Sequence, residues 1–347
     1  NYTINETLGT LTVTNGTLIV TINNKTVTYN GSEQYGYAKT EDSETTELTI
    51  TGIGETISTD DYTVVGLGAG DTLTITYTPA AGTDVDEYTG SFAETYTITR
   101  EDVDVSTYYK TIDEATGEII SEPSFTAGKL TIEPAEVTVT ANDANKVYDN
   151  NPDNPAGYTA TVAGLIGDDT VEYTVSRVSG ENVGTYTITP TGATTQGNYT
   201  VKYETGTFTI TAKQVTVKAN DDEKDYDNNP TNPGSYTATV TGLVGPDTID
   251  YTVTRTSGEN VGTYTITPTG ATTQGNYTVV YQTGTFTIKP INIVVTIVGA
   301  NNTTDYDGQS HTVTGYTATA NSDLYDVTKD FTFSGTDTAT RTDAGTT

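Results

Sequence analysis

The sequence predicts an all-β protein built from tandem small β-sandwich-like repeat domains, Ig-like or β-grasp-like, arranged as an elongated rod. Three observations predict it. Thr fills 82 of the 347 positions, and a β-branched side chain that is stiff at χ1 favours the pleated strand over the helix. Apolar and polar residues alternate at period two through most of the chain. The chain also repeats itself: residues 135–212 and 213–290 align without a gap, with 58 identities over 78 positions, as stacked modular architectures do.

Taken in order, residues 1–14 read as the closing hairpin of a preceding domain. Asn1-Tyr2-Thr3-Ile4 and Gly9 to Val13 match Asn198 to Val201 and Gly206 to Ile210. Residues 15–134 form a divergent repeat. Leu18 to Ile22, Lys25 and Tyr29-Asn30-Gly31 match the opening of the central copies, and Gly66-Leu67 with Asp71-Thr72 matches Gly164-Leu165 with Asp169-Thr170. An insertion lies near 101–123. Residues 135–212 and 213–290 are the two full repeats, and 291–347 is an incomplete one that opens at Ile291 and carries Tyr306-Asp307-Gly308.

Within a repeat, Tyr199, Val201 and Tyr203 face one way, and Phe208 and Ile210 are expected to return after a turn at Glu204-Thr205-Gly206. No amphipathic helix of ten residues is present; a single helical turn near Gly164 to Asp169 is the one helical expectation. Linkers are nearly absent, and Pro134 and Pro290 stiffen two junctions.

Composition removes several functional classes. The formal net charge is −31, from 46 acidic and 15 basic residues, so phosphate backbones and anionic membrane surfaces are repelled. With no Cys, thiolate catalysis, disulfides and Cys-ligated metals are absent. No 18-residue apolar run marks a membrane span. The sequence also lacks Met, so it reads as processed or as an excerpt of a longer chain.

Four features resemble the MBG ("mostly β, glycine-rich") repeats: the Tyr-Asp-(Gly/Asn) opening, the Gly-Leu-x-x-x-Asp-Thr step, the Gly-Glu-Asn-Val-Gly-Thr-Tyr segment from Gly180 to Tyr186, and the Gly-Asn-Tyr-Thr close. The resemblance spans essentially the whole chain and is most specific in the two central copies; residues 32–123 depart from it. It implies an extracellular, cell-wall-linked modular protein of bacterial, especially Gram-positive, surfaces, and it implies no activity.

Candidate chemistry is thin, and no residue is assigned as catalytic, cofactor-binding or metal-binding. His311, the one His, sits in a polar stretch with no partner for a triad. Gly66-Leu67-Gly68-Ala69-Gly70 resembles a phosphate loop, but Asp71 to Ile75 reads as a strand where the motif needs a helix N-terminus. The acidic loops Asp143, Asp149, Asn150, Asn151, Asp153 and Asp221, Asp222, Asp225, Asp227 could hold Ca²⁺, although as solvated turns they need no metal. Lys25, Lys146 and Lys224 precede the repeat Tyr, and an isopeptide bond to Asn198 or Asn276 is the sharp reading; alkyl stems lying over the Tyr ring are the plainer one. Tyr clusters form either a sugar platform or the rim of a small core with wet hydroxyls. The sequons at Asn5, Asn15, Asn198 and Asn276 follow from the Thr content.

The expected function is therefore an extracellular structural stalk or fibre on a bacterial cell surface. The alternative is an adhesin module for a glycan or a host protein, seated in the divergent 15–134 region; a hydrolase fragment ranks third. Neighbouring repeats are the expected partners. Head-to-tail assembly, with residues 1–14 of one copy completing 291–347 of the next, is a further expectation.

Overall fold

The computed structural model describes residues 11, 13–40, 44–113 and 115–347. Apart from 11, 13 and 14, the expected hairpin at 1–14 lies outside these residues, and the expected head-to-tail donation lies there with it. The described chain is all-β, with one single-turn 3-10 helix at Ser106–Tyr109. It divides into two compact units, one of residues 1–144, 155–179 and 186–208, the other of 145–154, 180–185 and 209–347.

In the first unit, one four-stranded sheet runs in the order Ser124–Thr126, Ile19–Ile22, Tyr62–Val65, Ile57–Ser58, and another in the order Val103–Asp104, Ser91–Arg100, Thr72–Thr78, Thr46–Thr51. Their inward residues make one core: Leu18, Val20 and Ile22 meet Leu48, Ile50, Leu73, Ile75 and Ile98. The buried-exposed alternation of Thr46–Thr51 is strict, as period two demands of a strand with one wet face. A second core joins the sheet of Lys25–Thr28, Lys129–Glu133 and Glu87–Thr89 to that of Ala160–Ala163, Ala135–Ala141, Tyr199–Glu204 and Thr195–Gln196. Leu130 and Ile132 of one sheet pack there with Val137, Val139 and Val201 of the other. The divergent repeat and the 135–212 repeat thus share a core across their junction.

The second unit contains the 213–290 repeat entire. One sheet is Ala238–Thr241, Lys213–Ala219, Tyr277–Gln282, Thr273–Gln274; the other is Asp222–Asp225, Gly284–Lys289, Gly262–Thr269, Thr252–Arg255. Ala219, Ile266, Phe286 and Ile288 pack together between them, which makes the repeat a two-layer β-sandwich. In each sheet the opening strand pairs in parallel with a closing strand: Lys213–Ala219 with Tyr277–Gln282, and Asp222–Asp225 with Gly284–Lys289.

That pairing corrects the hairpin expected at the close of a repeat. Tyr277–Gln282 and Gly284–Lys289 belong to different sheets and do not pair with each other. One residue, Thr283, separates them, and a hairpin needs a turn of about two or more. A Cβ on Gly284 would come 2.7 Å from the Ala219 carbonyl, so only Gly lets the chain cross between layers at that point. The expected helical turn at Gly164 to Asp169 is also corrected. It is a hydrogen-bonded turn, Asp169 N–H to Ile166 O at 3.2 Å, and Gly167 at φ +59° stops a helix there.

Residues 291–347 form two two-stranded ladders, Val295–Gly299 with Tyr316–Ala320 and His311–Thr314 with Thr338–Arg341. None of these residues is buried. Among the described residues of this segment there is no counterpart of the parallel closing strands that supply Phe286 and Ile288 to the neighbouring core.

Candidate functional site: the tyrosine joints between repeats

The Tyr-Asx-(Gly/Asn) motif is a built turn. The backbone N–H groups of Tyr29, Tyr148 and Tyr226 donate to the carbonyls of Glu133, Thr211 and Lys289 at 2.8, 2.9 and 2.9 Å, which pins each Tyr at the end of a closing strand. The next side chain closes an Asx turn by accepting from the backbone two residues on: Ser32 to Asn30, Asn151 to Asp149, Asn229 to Asp227, Gln309 to Asp307. The third residue sits in the left-handed region, as Gly31, Asn150, Asn228 or Gly308, where Gly and Asn are the tolerated types.

At two junctions the ring so presented enters a socket on the following repeat. Tyr29 stacks edge-on to Tyr199, with centroids 5.5 Å apart, and Tyr148 does the same to Tyr277 at 5.5 Å. All four rings are buried. Tyr29 donates to Asp169 Oδ2 at 3.0 Å and Tyr199 donates to the same oxygen at 2.7 Å. Tyr148 and Tyr277 share Asp247 Oδ2 at 3.0 and 2.6 Å. The socket tyrosines are fixed in turn: Ile166 N–H donates to the Tyr199 hydroxyl and Val244 N–H to that of Tyr277, both at 3.0 Å. Burial and the Asp247 carboxylate push the Tyr277 hydroxyl up to about 12, and burial and Asp247 raise Tyr148 as well.

A second contact braces each joint. Asn198 accepts from Val85 N–H at 2.8 Å and donates to Asp84 at 2.9 Å. Asn276 accepts from Val183 N–H at 2.8 Å and donates to Asn182 at 3.1 Å. Both Asn residues therefore bridge repeats, and the structure does not bring them to the lysines.

Lys146 meets Asp149 at 2.9 Å, Glu181 at 2.5 Å and the Asn151 carbonyl at 2.7 Å. Lys224 meets Asp227, Glu259 and the Asn229 carbonyl, each at 2.7 Å. These lysines are ion-pair hubs, which corrects the reading of stems laid over the repeat Tyr; Lys25 does lie over a ring, that of Tyr37 at 5.4 Å. Arg255 extends the Lys224 hub through Glu259 at 2.5 Å and stacks on Phe286. The joint tyrosines likewise correct the wet-rim reading, since their hydroxyls end on carboxylate acceptors inside the joint.

Two residues of the acidic loops accept from the closing strand 64 residues on. Asp143 and Asp221 accept from Thr207 and Thr285 N–H at 2.7 Å each. Among the described residues no cluster of three His, Cys, Asp or Glu is placed to hold a metal. Gly66 and Gly70 take φ of +84° and +80° and lead into strand Thr72–Thr78, not into a helix. His311 pairs with Asp307 at 2.8 Å on an exposed turn. Sequence reasoning missed Asp169 and Asp247 as acceptors, although the Gly-Leu-x-x-x-Asp step repeats them. It also missed Glu181 and Glu259, which lie 35 residues from the lysines they pair with. No described helix is long and apolar enough to cross a membrane.

Comparison with known proteins agrees with this anatomy. No curated protein matches the chain. Among solved structures, Drosophila N-cadherin EC1-4 matches at 10% identity over 81% of this chain and 76% of that one, with a TM-score of 0.22, too low to support any argument. The family model of the MBG domain (YGX type) matches residues 137–209 and again 215–287. Each matched segment contains one of the Asx turns described above, Tyr148 to Asn150 in the first and Tyr226 to Asn228 in the second. The two central repeats of this chain are MBG domains in tandem.

Proposed function

We propose that the chain is a structural stalk or fibre segment of an extracellular protein on a bacterial cell surface, with no catalytic role, and that its working parts are the joints. The observation that carries this reading is the recurrence of one device at two successive junctions: a Tyr from one repeat, a Tyr and an Asp from the next, and an Asn bracing the backbone. A shared core at a junction together with a directional hydrogen-bonded clamp restricts rotation between neighbours, which suits a spacer. A like-charged, Thr-rich surface keeps such a repetitive β-protein soluble and resists edge-to-edge pairing. The clustered charges are paired with one another, which suits scaffold better than catalysis.

Small-angle scattering on the full chain tests the reading. A stalk of this many repeats spans well over ~100 Å, and Asp247→Ala should broaden the distance distribution by loosening a joint. A compact particle, or a distribution that ignores Asp247→Ala, would count against it. Binding of the full chain on a glycan array would move the assignment to the adhesin alternative.

A further inference from the structure

The divergent repeat carries the same socket, but with different occupants. The turn Gly68 to Asp71 aligns in sequence with Ile166 to Asp169 and Val244 to Asp247. It closes the same way, Asp71 N–H to Gly68 O at 3.1 Å against 3.2 Å in both other repeats. Gly68 N–H donates to a tyrosine hydroxyl at 2.8 Å, as Ile166 and Val244 do, and that hydroxyl donates to Asp71 Oδ2 at 2.5 Å. The tyrosine is Tyr109, however. It comes from the 3-10 turn of the insertion, whereas Tyr199 and Tyr277 begin closing strands. The position aligned with Tyr199 holds Ser121. The remaining place on the carboxylate, filled by Tyr29 or Tyr148 elsewhere, is filled here by Arg100: Nε to Oδ1 at 2.5 Å and Nη2 to Oδ2 at 2.9 Å.

We propose that Arg100 is a plug: it occupies in cis the place that another repeat's tyrosine takes in the two MBG domains, and so shuts this socket against a further MBG repeat, a second copy of this chain included. A two-pronged Arg–carboxylate contact is charge-assisted on both bonds, whereas an entering tyrosine offers one neutral donor. Asp71 is 1% exposed. An intruding ring would have to break the pair and leave the guanidinium without its partner. Tyr306 opens the same Asx turn as Tyr29 and Tyr148, yet it is 69% exposed. Tyr306 of one copy entering the Asp71 socket of another would repeat the polarity of the internal joints. Such a contact is heterologous and does not close, so it would propagate a fibre; the plug prevents it. This rests on joint geometry and is independent of the stalk reading.

The test uses the full chain as wild type, Arg100→Ala and Arg100→Ala/Tyr306→Ala. The probe for the socket is 4-methylphenol, the tyrosine side chain as a free molecule. It should raise the melting temperature of Arg100→Ala and leave wild type unmoved, while toluene, which lacks the hydroxyl, should move neither. An equal shift in both proteins, or none in the variant, overturns the plug. If Arg100→Ala lacks the wild-type circular dichroism spectrum, Arg100→Ser takes its place. Sedimentation velocity then reads the partner: Arg100→Ala should associate with rising concentration, and the double variant should sediment as wild type. A variant that takes up 4-methylphenol yet stays as dispersed as wild type overturns the inference that a second copy is excluded.

Discussion

At the scale of single residues the molecule is held by polar groups that hydrophobic patterning does not explain. Two tyrosines converge on one carboxylate oxygen at each joint, and the alkaline limit of the fold follows. An unfolded tyrosine ionises at ~10, whereas Tyr277 is held up to about 12 by burial and Asp247. A raised folded value means that the stabilisation is whole below pH ~10 and is lost as the pH climbs through about 12. Absorbance at 295 nm should therefore show a late-titrating tyrosine that disappears in Tyr277→Phe. The acid side has the opposite sign. Lys146 and Lys224 hold Asp149 and Asp227 down to about 2, so their contribution is present above pH ~4 and fades as the pH falls to about 2. Removing Glu259 leaves Lys224 and Arg255, both almost fully buried, short of a partner. Glu259→Ala should lower the urea midpoint, because each cation loses a charge-assisted partner while Lys224 keeps Asp227 and Arg255 keeps the Tyr236 hydroxyl. Because the Asp149 and Asp227 oxygens are already engaged by Lys, Asn and backbone donors, millimolar Ca²⁺ should leave the melting curve unchanged.

At the scale of elements the closing strands organise each repeat. By crossing from one sheet to the other they zip both layers to the opening strands, and they place Tyr277 at one end and Phe286 in the core. The turn that follows Ala238–Thr241 also depends on a residue with no side chain. Gly242 sits at φ +99°, and a Cβ there would meet the Gln214 carbonyl at 2.7 Å. Gly242→Ala should cost ~1–3 kcal/mol from backbone strain alone, and it should also disturb the Val244 N–H that fixes Tyr277. Phe286, fully buried between the sheets, should cost ~3–5 kcal/mol on truncation to Ala. Urea midpoints compared at constant slope would check both.

At the scale of the whole molecule, stability is uneven. Residues 291–347 contain no buried residue, so their amides should exchange first with solvent deuterium. Limited trypsin should cut at Lys329 or Arg341 before it touches Lys213–Ala219, because local opening follows burial and contact. The charge of −31 adds a general term. Like charges repel across the folded surface and salt screens them, so added NaCl should raise the melting temperature. The buried joints and ion-pair hubs respond less to salt, so the gain should level off.

Much of this was legible without coordinates. Period-two alternation at Leu73, Ile75 and Tyr77 or at Val215 and Val217 determines strands and their inward faces, because the pleat leaves a side chain no other choice. Self-alignment determines the repeats, and with them the recurrence of Tyr148, Asn198 and Asp169 as a set. What the set is for was decided only by the fold. Tyr148 and Asp247 lie 99 residues apart, and nothing local tells a Tyr that ends a strand which carboxylate it will reach. The closing strands look like a hairpin in one dimension, and only their parallel pairing with the opening strands, Val215 with Val279 and Lys224 with Ile288, separates them into two sheets. The insertion reads as an interruption until the chain folds. Tyr109 and Arg100 then meet Asp71 from elements that share no motif with the other repeats, because a socket selects for the position of a hydroxyl or a guanidinium and not for the stretch of sequence that delivers it.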